Sequence, residues 1–201
     1  MTHAAIIGTA SYVRPGDWAA DPAACSLAFA VRNLVLGTVT GQIPLASATV
    51  HVDAGGHPVS IRAELDADGI DTRHRRRDRD LRGTRFLATG RWPVMRFEAA
   101  SIQPDETGWT VAGTLTVKDR QCPVRLDVAS FAIPADDPAA CVDLHATGRL
   151  DRRSAGVTAP GLLIGHLVTL LLAIRLRPPV TTVALRRTRP EADHPTRPEG
   201  A

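Results

Sequence analysis

The most constraining feature of this sequence is a period of two in its hydrophobic residues, which runs from Ser26 almost to Arg177. Apolar residues alternate with small or polar ones in short runs, and Gly, Pro, Asp or Asn separate the runs. Successive side chains of a β-strand point to opposite faces, so this alternation indicates strands with one buried face. The chain is therefore predicted to be all-β.

Eight or nine runs of this kind can be distinguished. They begin near Leu27, Val39, Ala48, Val59, Met95, Trp109, Val124, Val142 and Val168. The first two are predicted to pair as a hairpin, and the glycines of the 53–56 stretch suit a tight reversal. Strands with one apolar face must bury it against one another, and over about 160 residues this leaves a sandwich or a closed barrel.

Small residues interrupt the predicted inner face, at Gly41, Ala63, Gly113, Ala146 and Gly148. Small side chains on the core side leave volume unfilled, and an eight-stranded barrel has room for one small or elongated ligand. Glycine also occurs where strands coil sharply. The pattern therefore predicts either a ligand cavity or a tightly coiled, filled barrel.

Residues 71–92 break the alternation with a charged segment. Seven arginines lie between Arg73 and Arg85, against Asp78 and Asp80. We expect a short helical segment near residues 73–83, lying across the mouth of the barrel. The charge has three interpretations: a solvated or self-paired surface, a site for an anionic membrane or lipid head group, or a nucleic-acid site. No aromatic residues interleave with the arginines, so no nucleic-acid partner is expected.

The remaining composition excludes several classes of function. A chain of 201 residues has room for one domain, not a multi-domain enzyme. Cys25, Cys122 and Cys141 are too far apart for a C-x-x-C pair, and the seven histidines are scattered. No G-x-S-x-G or glycine-rich phosphate loop occurs. We therefore expect no enzyme activity, no catalytic residues, no metal and no cofactor.

The ends of the chain differ from its middle. We expect a flexible N-terminus over residues 1–14, a β-barrel domain over 15–177, and a disordered Pro/Arg-rich tail over 178–201, which lacks enough apolar residues to fold. The first residues do not have the pattern of a secretory signal, which favours the cytoplasm. The most apolar stretch, 160–176, is too short and too polar to span a bilayer.

Several sequence stretches, taken in order, resemble the YceI-like family of lipocalin-like polyisoprenoid-binding proteins. The resemblance covers about residues 18–177. The stretches are WAADP at 18–22, SLAFAV at 26–31, VTGQI at 39–43, IDT at 70–72, RDRDLR at 77–82 with Phe86, Trp92-Pro93 and Phe97, GTLTV at 113–117, and LDRRSAGV at 150–157. Where family members commonly carry His, this chain has Asn33 and Asp80.

The resemblance implies an eight-stranded antiparallel lipocalin-like barrel whose apolar pocket takes a long isoprenoid or similar chain. We expect non-enzymatic binding and transport or sequestration of a long-chain isoprenoid or fatty ligand. The alternative is an interaction module that binds an anionic membrane surface or macromolecule through its Arg-rich loop, with a barrel filled by its own side chains. Transient contact with an anionic membrane is compatible with both, and whether two barrels dimerise is left open.

The candidate ligand-binding residues come from the inward-facing positions and from the apolar residues of the charged segment. They are Leu27, Phe29, Val31, Val39, Ile61, Leu81, Phe86, Met95, Phe97, Trp109, Val111, Gly113, Leu115, Leu170 and Leu172.

Overall fold

The alternating runs form antiparallel strands in the computed structural model, which describes residues 14–106, 108–129, 140–157 and 164–179. These residues contain ten strands. The strands are β1 (Gly16–Ala20), β2 (Ser26–Asn33), β3 (Gly37–Gln42), β4 (Leu45–Val52), β5 (Pro58–Asp66), β6 (Val94–Pro104), β7 (Gly108–Val117), β8 (Arg120–Ala129), β9 (Val142–Asp151) and β10 (Ile164–Arg177). All nine predicted runs are strands, and β2 and β3 form the predicted hairpin.

The ten strands occupy eight positions around a closed barrel. Strands β1 and β2 follow each other along one edge of β10, separated by a short 3₁₀ helix at Pro22–Ala24. Likewise, β3 pairs with β2 and β4 pairs with β1, and Ile43-Pro44 separates β3 from β4 in the chain. The order continues from β4 through β5, β6, β7, β8 and β9 to β10, and the β1–β10 pairing closes the ring. The predicted eight-stranded antiparallel barrel is confirmed.

The barrel has a closed end built around Trp18. Its buried side chain packs with Val52, Val142 and Leu176, which come from three other strands. The indole Nε1 donates a hydrogen bond to the Arg14 carbonyl at 2.8 Å, so the polar atom of the ring is satisfied. Strand β1 was not predicted, because its five residues, GDWAA, contain one large apolar side chain and show no alternation.

The opposite end is covered by the charged segment and by residues 152–157. A buried cluster there includes Ile70, Leu87, Met95, Val117 and Val157. Helix α1 spans Arg75–Arg82, which confirms the short helix predicted near 73–83. It begins after His74, whose Nδ1 accepts a hydrogen bond from the backbone N–H of Arg77 at 3.2 Å. A capping side chain of this kind supplies an acceptor to one of the unpaired N–H groups at a helix start.

The predicted flexible N-terminus and disordered tail fall outside the described residues, apart from Arg14, Pro178 and Pro179. No helix in the described ranges is long and apolar enough to cross a membrane.

Candidate ligand-binding cavity

The inward-facing residues of the barrel enclose a cavity of about 1200 Å³. Thirteen of the fifteen candidate ligand-binding residues line it. They are Leu27, Phe29, Val31, Val39, Ile61, Leu81, Phe86, Met95, Phe97, Val111, Leu115, Leu170 and Leu172. The alternation found these positions because the period of a strand decides which face a side chain takes. That these residues contact a ligand stays a prediction.

The other two candidates lie outside this cavity. Trp109 lines a separate space of about 80 Å³ at the closed end, together with Trp18 and Val142. Gly113 is buried, and a Cβ added to it would lie 2.6 Å from Cζ of Phe97 and 2.5 Å from the Glu98 carbonyl oxygen. The ring of Phe97 therefore occupies the space that a side chain at Gly113 would need.

Small inward-facing residues contribute to the cavity in two different ways. Ala63 and Ala146 line it directly. At Gly41 and Gly113, by contrast, a Cβ would collide with the rings of Phe29 and Phe97, at 2.5 Å and 2.6 Å. The expectation that each small residue leaves open volume is therefore wrong at Gly41 and Gly113, where a neighbouring phenylalanine lies over the backbone, and at Gly148, where a Cβ would lie 2.6 Å from Cδ2 of Leu126.

The cavity opens on one side of the barrel. Within the described residues, its exposed lining residues come from just two stretches, 36–40 and 74–85. The first stretch is the start of β3, and the second contains α1. One edge of β3 pairs with no other strand of the described residues. An isolated bridge between Gln42 and Asp71 links this edge to the loop that follows β5. We call this gap between β3 and residues 74–85 the side opening.

The lining is polar around the side opening and apolar inside the barrel. Among the described lining residues, every polar side chain but one comes from residues 33–40 or 72–85. The exception is Arg152, a buried residue that donates to the carbonyls of Val157, Ile164 and Gly165 at 2.7–2.9 Å. Its guanidinium thus links Val157, which precedes β10 in the chain, to Ile164 and Gly165 at the start of β10. The cavity suits a molecule with a long apolar body and a polar end.

Five of the seven arginines of the charged segment fall into two groups. Arg77 donates to the Thr72 hydroxyl and carbonyl, and Arg82 donates to the carbonyls of Asp68 and Ile70. These two hold the segment together. Arg76, Arg79 and Arg85 line the side opening and make no ion pair or hydrogen bond with another described side chain. The interpretation of the segment as self-paired charge therefore applies to part of it.

Asp78 fixes α1 against the preceding loop. Its carboxylate is buried and accepts hydrogen bonds from both the amide and the hydroxyl of Thr72. Burial acts to raise the pKa of Asp78, but the hydrogen bonds from Thr72, together with the His74 backbone and the positive charge of Arg82, outweigh it, and the pKa lies below its ordinary value. Asp78 therefore stays ionised at neutral pH and positions the helix at the side opening.

Several cavity residues were missing from the sequence prediction. They are Ile43, Leu45, Ala48, Val50, Leu65, Ile70, Val117, Val124, Leu126, Val128, Leu144, Leu150, Ile164, Val168, Ile174 and Leu176, among others. Most belong to runs that were predicted as strands, so the alternation contained the signal. Ile43 and Ile70 lie outside the strands, and their position depends on contacts between distant parts of the chain.

Metal-binding clusters and unpaired buried polar groups would be the two features most relevant to the chemistry of the described wall. No group of three or more His, Cys, Asp or Glu residues that could hold a metal ion occurs in the part of the chain that the structure describes. In the same residues, every buried side-chain nitrogen or oxygen has a hydrogen-bond partner. A ligand inside the barrel would therefore be held mainly by apolar contact.

Comparison with known proteins identifies the family. Residues 18–176 match the family model described as the YceI-like domain. A UPF0312 protein of Yersinia enterocolitica is 31% identical over 67 residues, which are 33% of this chain and 35% of that protein. A UPF0312 protein of Yersinia pestis matches to the same extent. The matched stretch thus spans about a third of the length of these curated relatives.

Solved structures with this fold cover most of the chain. Burkholderia cenocepacia BcnA has a TM-score of 0.64 at 15% identity, covering 78% of this chain and 98% of that one. A Campylobacter jejuni YceI protein has a TM-score of 0.62 at 15% identity, covering 74% and 90%. A polyisoprenoid-binding domain from Saccharophagus degradans, implicated in plant cell wall breakdown, has a TM-score of 0.55 at 12% identity, covering 81% and 98%. At these identities the likeness establishes the fold.

Proposed function

The chain belongs to the YceI-like family, and on that premise we propose that it is a non-enzymatic carrier, which holds a long-chain polyisoprenoid or similar lipid inside its barrel and transports or sequesters it. The observation that carries this proposal is the apolar cavity of about 1200 Å³ with a polar side opening. Ordinary small-molecule pockets occupy about 300–1000 Å³, so this one suits a longer ligand.

The cavity is too large to remain empty. Protein interiors are close-packed and have few voids larger than a water molecule, so a space of about 1200 Å³ does not stay empty. Water must therefore enter through the side opening, or a ligand must fill the space. Water finds few partners on an apolar wall, whereas each buried methylene contributes about 0.8 kcal/mol.

The alternative, an interaction module with a filled barrel, agrees less well with this geometry. A barrel filled by its own side chains would not leave such a space around Ala48, Ala63 and Ala146. The structurally similar domain from Saccharophagus degradans is described as polyisoprenoid-binding, which supports the class of ligand proposed for this chain. The length of the chain and the nature of its polar end are part of the proposal to be tested.

The proposal can be tested with two variants of adjacent residues on β4. Ala48 lines the cavity, whereas Thr49 is exposed on the outer face of the same strand. Ala48→Phe adds a ring to the ligand space, and Thr49→Phe adds the same ring outside the barrel. A fluorescent prenyl probe, titrated without membranes, should bind Ala48→Phe at least tenfold more weakly than the parent and bind Thr49→Phe unchanged.

Two controls make the result decisive. Circular dichroism and urea unfolding establish that both variants are folded under the binding conditions. Unlabelled long-chain isoprenoids should displace the probe from the parent. Equal affinity of the parent and both variants, or no probe binding to the parent at all, would contradict a ligand site inside the barrel.

A further inference from the structure

We propose that the side opening is a docking surface for an anionic lipid bilayer, through which the barrel loads or releases its ligand. The inference rests on the proposed carrier function, and it adds a partner and a route. Two features border the same opening: an exposed apolar turn between β2 and β3, and Arg76, Arg79 and Arg85 of the charged segment, which have no partner among the described residues.

The apolar turn consists of Leu34, Val35 and Leu36. Their exposed fractions are 73%, 73% and 64%, the highest of the large hydrophobic residues that the structure describes as exposed. Isolated exposed apolar residues are common, but three in succession at the tip of a hairpin are not explained by packing. Leu36 also lines the cavity, so apolar surface continues from the tip of the hairpin into the barrel.

The backbone of this turn is prepared for a non-aqueous environment. The side chain of Asn33 accepts hydrogen bonds from the backbone N–H groups of Val35 and Leu36, both at 2.9 Å. Gly37 has a φ of +75°, which suits the reversal and which larger residues rarely adopt. Backbone N–H groups that leave water without a partner cost free energy, so these internal bonds lower the cost of burying the tip.

The charges around the opening complement an anionic surface. Arg76, Arg79 and Arg85 line it without a partner among the described residues, and Asp80 is the acidic residue among the exposed lining positions. This gives a local excess of positive charge next to the apolar turn. A basic residue close to an anionic membrane contributes about fivefold to binding, from roughly 1 kcal/mol per charge. Apolar residues flanked by arginines are typical of surfaces that insert into the lipid interface.

A bilayer fits these features better than another macromolecule does. A nucleic acid would make no use of three protruding aliphatic side chains. A protein partner would be expected to bury a defined pocket or edge, whereas here the apolar residues protrude and two backbone N–H groups beside them are already bonded to Asn33. A bilayer is also the phase in which a long isoprenoid dissolves, so docking at the opening spares the ligand from crossing water.

The test is flotation with vesicles of phosphatidylcholine containing about one third phosphatidylglycerol, compared with pure phosphatidylcholine vesicles. The full chain should float with the anionic vesicles. The double variant Leu34→Ser and Val35→Ser should lose at least tenfold in affinity, since two large apolar side chains no longer enter the interface. The double variant Arg76→Gln and Arg79→Gln should lose on the order of tenfold or more, and its residual binding should no longer depend strongly on salt.

Matched controls come from elsewhere on the surface. Val59 is an exposed apolar residue at the start of β5, beside the turn at the closed end, and Val59→Ser should leave vesicle binding unchanged. Arg125 and Arg149 lie opposite each other on the outer face of β8 and β9. Neutralising both removes the same charge as the Arg76 and Arg79 variant and should change binding by less than twofold.

The outcomes separate this inference from the carrier proposal. If the turn variant floats as well as the parent, or if the Arg125 and Arg149 variant loses as much as the Arg76 and Arg79 variant, the docking surface is refuted. If the parent binds vesicles but no prenyl probe in membrane-free solution, the carrier proposal fails while the surface stands. If it binds the probe but floats with neither kind of vesicle, the carrier stands and the docking surface fails. Preferential binding of DNA or of another protein through these residues would also overturn the inference.

Discussion

At the closed end of the barrel, Trp18, Val52, Val142 and Leu176 are each at most 5% exposed, whereas beside the side opening Leu34, Val35 and Leu36 are more than 60% exposed. Both groups are large and apolar, and both lie on or next to barrel strands. At the closed end, the strands that carry these residues are paired along both edges, and the pairing brings the side chains together. At the side opening, β3 has an edge linked to its surroundings by the isolated Gln42–Asp71 bridge.

If the side opening docks on a bilayer as we propose, the same kind of side chain serves stability in one place and recognition in the other. Polar groups follow the same division. At the closed end the indole of Trp18 is bonded to a backbone carbonyl, whereas at the side opening Arg76 and Arg79 have no partner among the described residues. Changes at the closed end should therefore alter unfolding, and changes at the side opening should alter binding.

The largest effect on stability is expected at Trp18. Trp18→Ala removes a side chain that is 3% exposed and leaves a cavity among four strands. Such truncations cost about 3–5 kcal/mol. Urea unfolding at equilibrium measures the loss. Prenyl-probe affinity of the folded fraction should remain within about twofold, and a large loss of affinity at constant stability would break the division between the two regions.

A smaller effect is expected at Gly113, in the middle of the barrel. Gly113→Ala places a Cβ 2.5 Å from the Glu98 carbonyl oxygen, which belongs to the backbone and cannot move freely. Overpacking of this kind costs about 1–3 kcal/mol. Gly90→Ala is the control, because a Cβ there meets no atom within 4 Å. Equal stability of the two variants would show that both the Glu98 backbone and the Phe97 ring can move away from the added Cβ.

Asp78 tests the link between stability and the side opening. Asp78→Asn replaces the carboxylate that accepts two hydrogen bonds from Thr72, and we expect a loss of about 1–3 kcal/mol. Because the variant loosens the anchoring of α1, it should also weaken vesicle binding, although Asp78 itself does not line the opening. Unchanged vesicle binding in a destabilised variant would show that α1 holds its position without this contact.

The same residue predicts a pH dependence. The pKa of Asp78 is lower in the folded protein than its unfolded value of about 3.9, so its contribution is complete above that value and is lost as the pH falls through the folded-state pKa. The stability difference between the parent and Asp78→Asn should therefore be constant from about pH 7 to 5 and shrink below about pH 4. A difference that persisted in strong acid would contradict the role of the ionised carboxylate.

The smallest effect on stability is expected at the apolar turn. The variant Leu34→Ser with Val35→Ser changes two side chains that are each 73% exposed, and its free energy of unfolding should stay within about 0.5 kcal/mol of the parent. Urea unfolding again provides the measurement. A loss of more than about 1 kcal/mol would mean that the turn packs against the barrel, and it would then resemble the closed end.

Most of the wall could be predicted from the sequence because strand alternation is a local signal. Phe29, Phe97 and Val111 were assigned to the interior from their neighbours alone, and they line the cavity. Trp109 has the same pattern, yet it lies in the small space at the closed end, because alternation gives the face of a strand and not the height along the barrel.

The side opening was beyond the reach of sequence patterns. Its location depends on the pairing of Gln42 with Asp71 and on the seating of α1 by Asp78, which are contacts between separate segments. The filling of the space at Gly113 by Phe97 likewise depends on packing across strands. The arginines were visible as a run, but which of them are tied to carbonyls could be decided only in three dimensions.

The most direct test of a carrier is to identify what the purified protein contains. Organic extracts of protein prepared without added lipid would be analysed by mass spectrometry, and the intact complex by native mass spectrometry. The account predicts one long-chain isoprenoid or similar lipid per barrel, present in the parent and Thr49→Phe and depleted in Ala48→Phe. Repeated extracts without an enriched lipid, together with no uptake of added prenyl compounds, would contradict it.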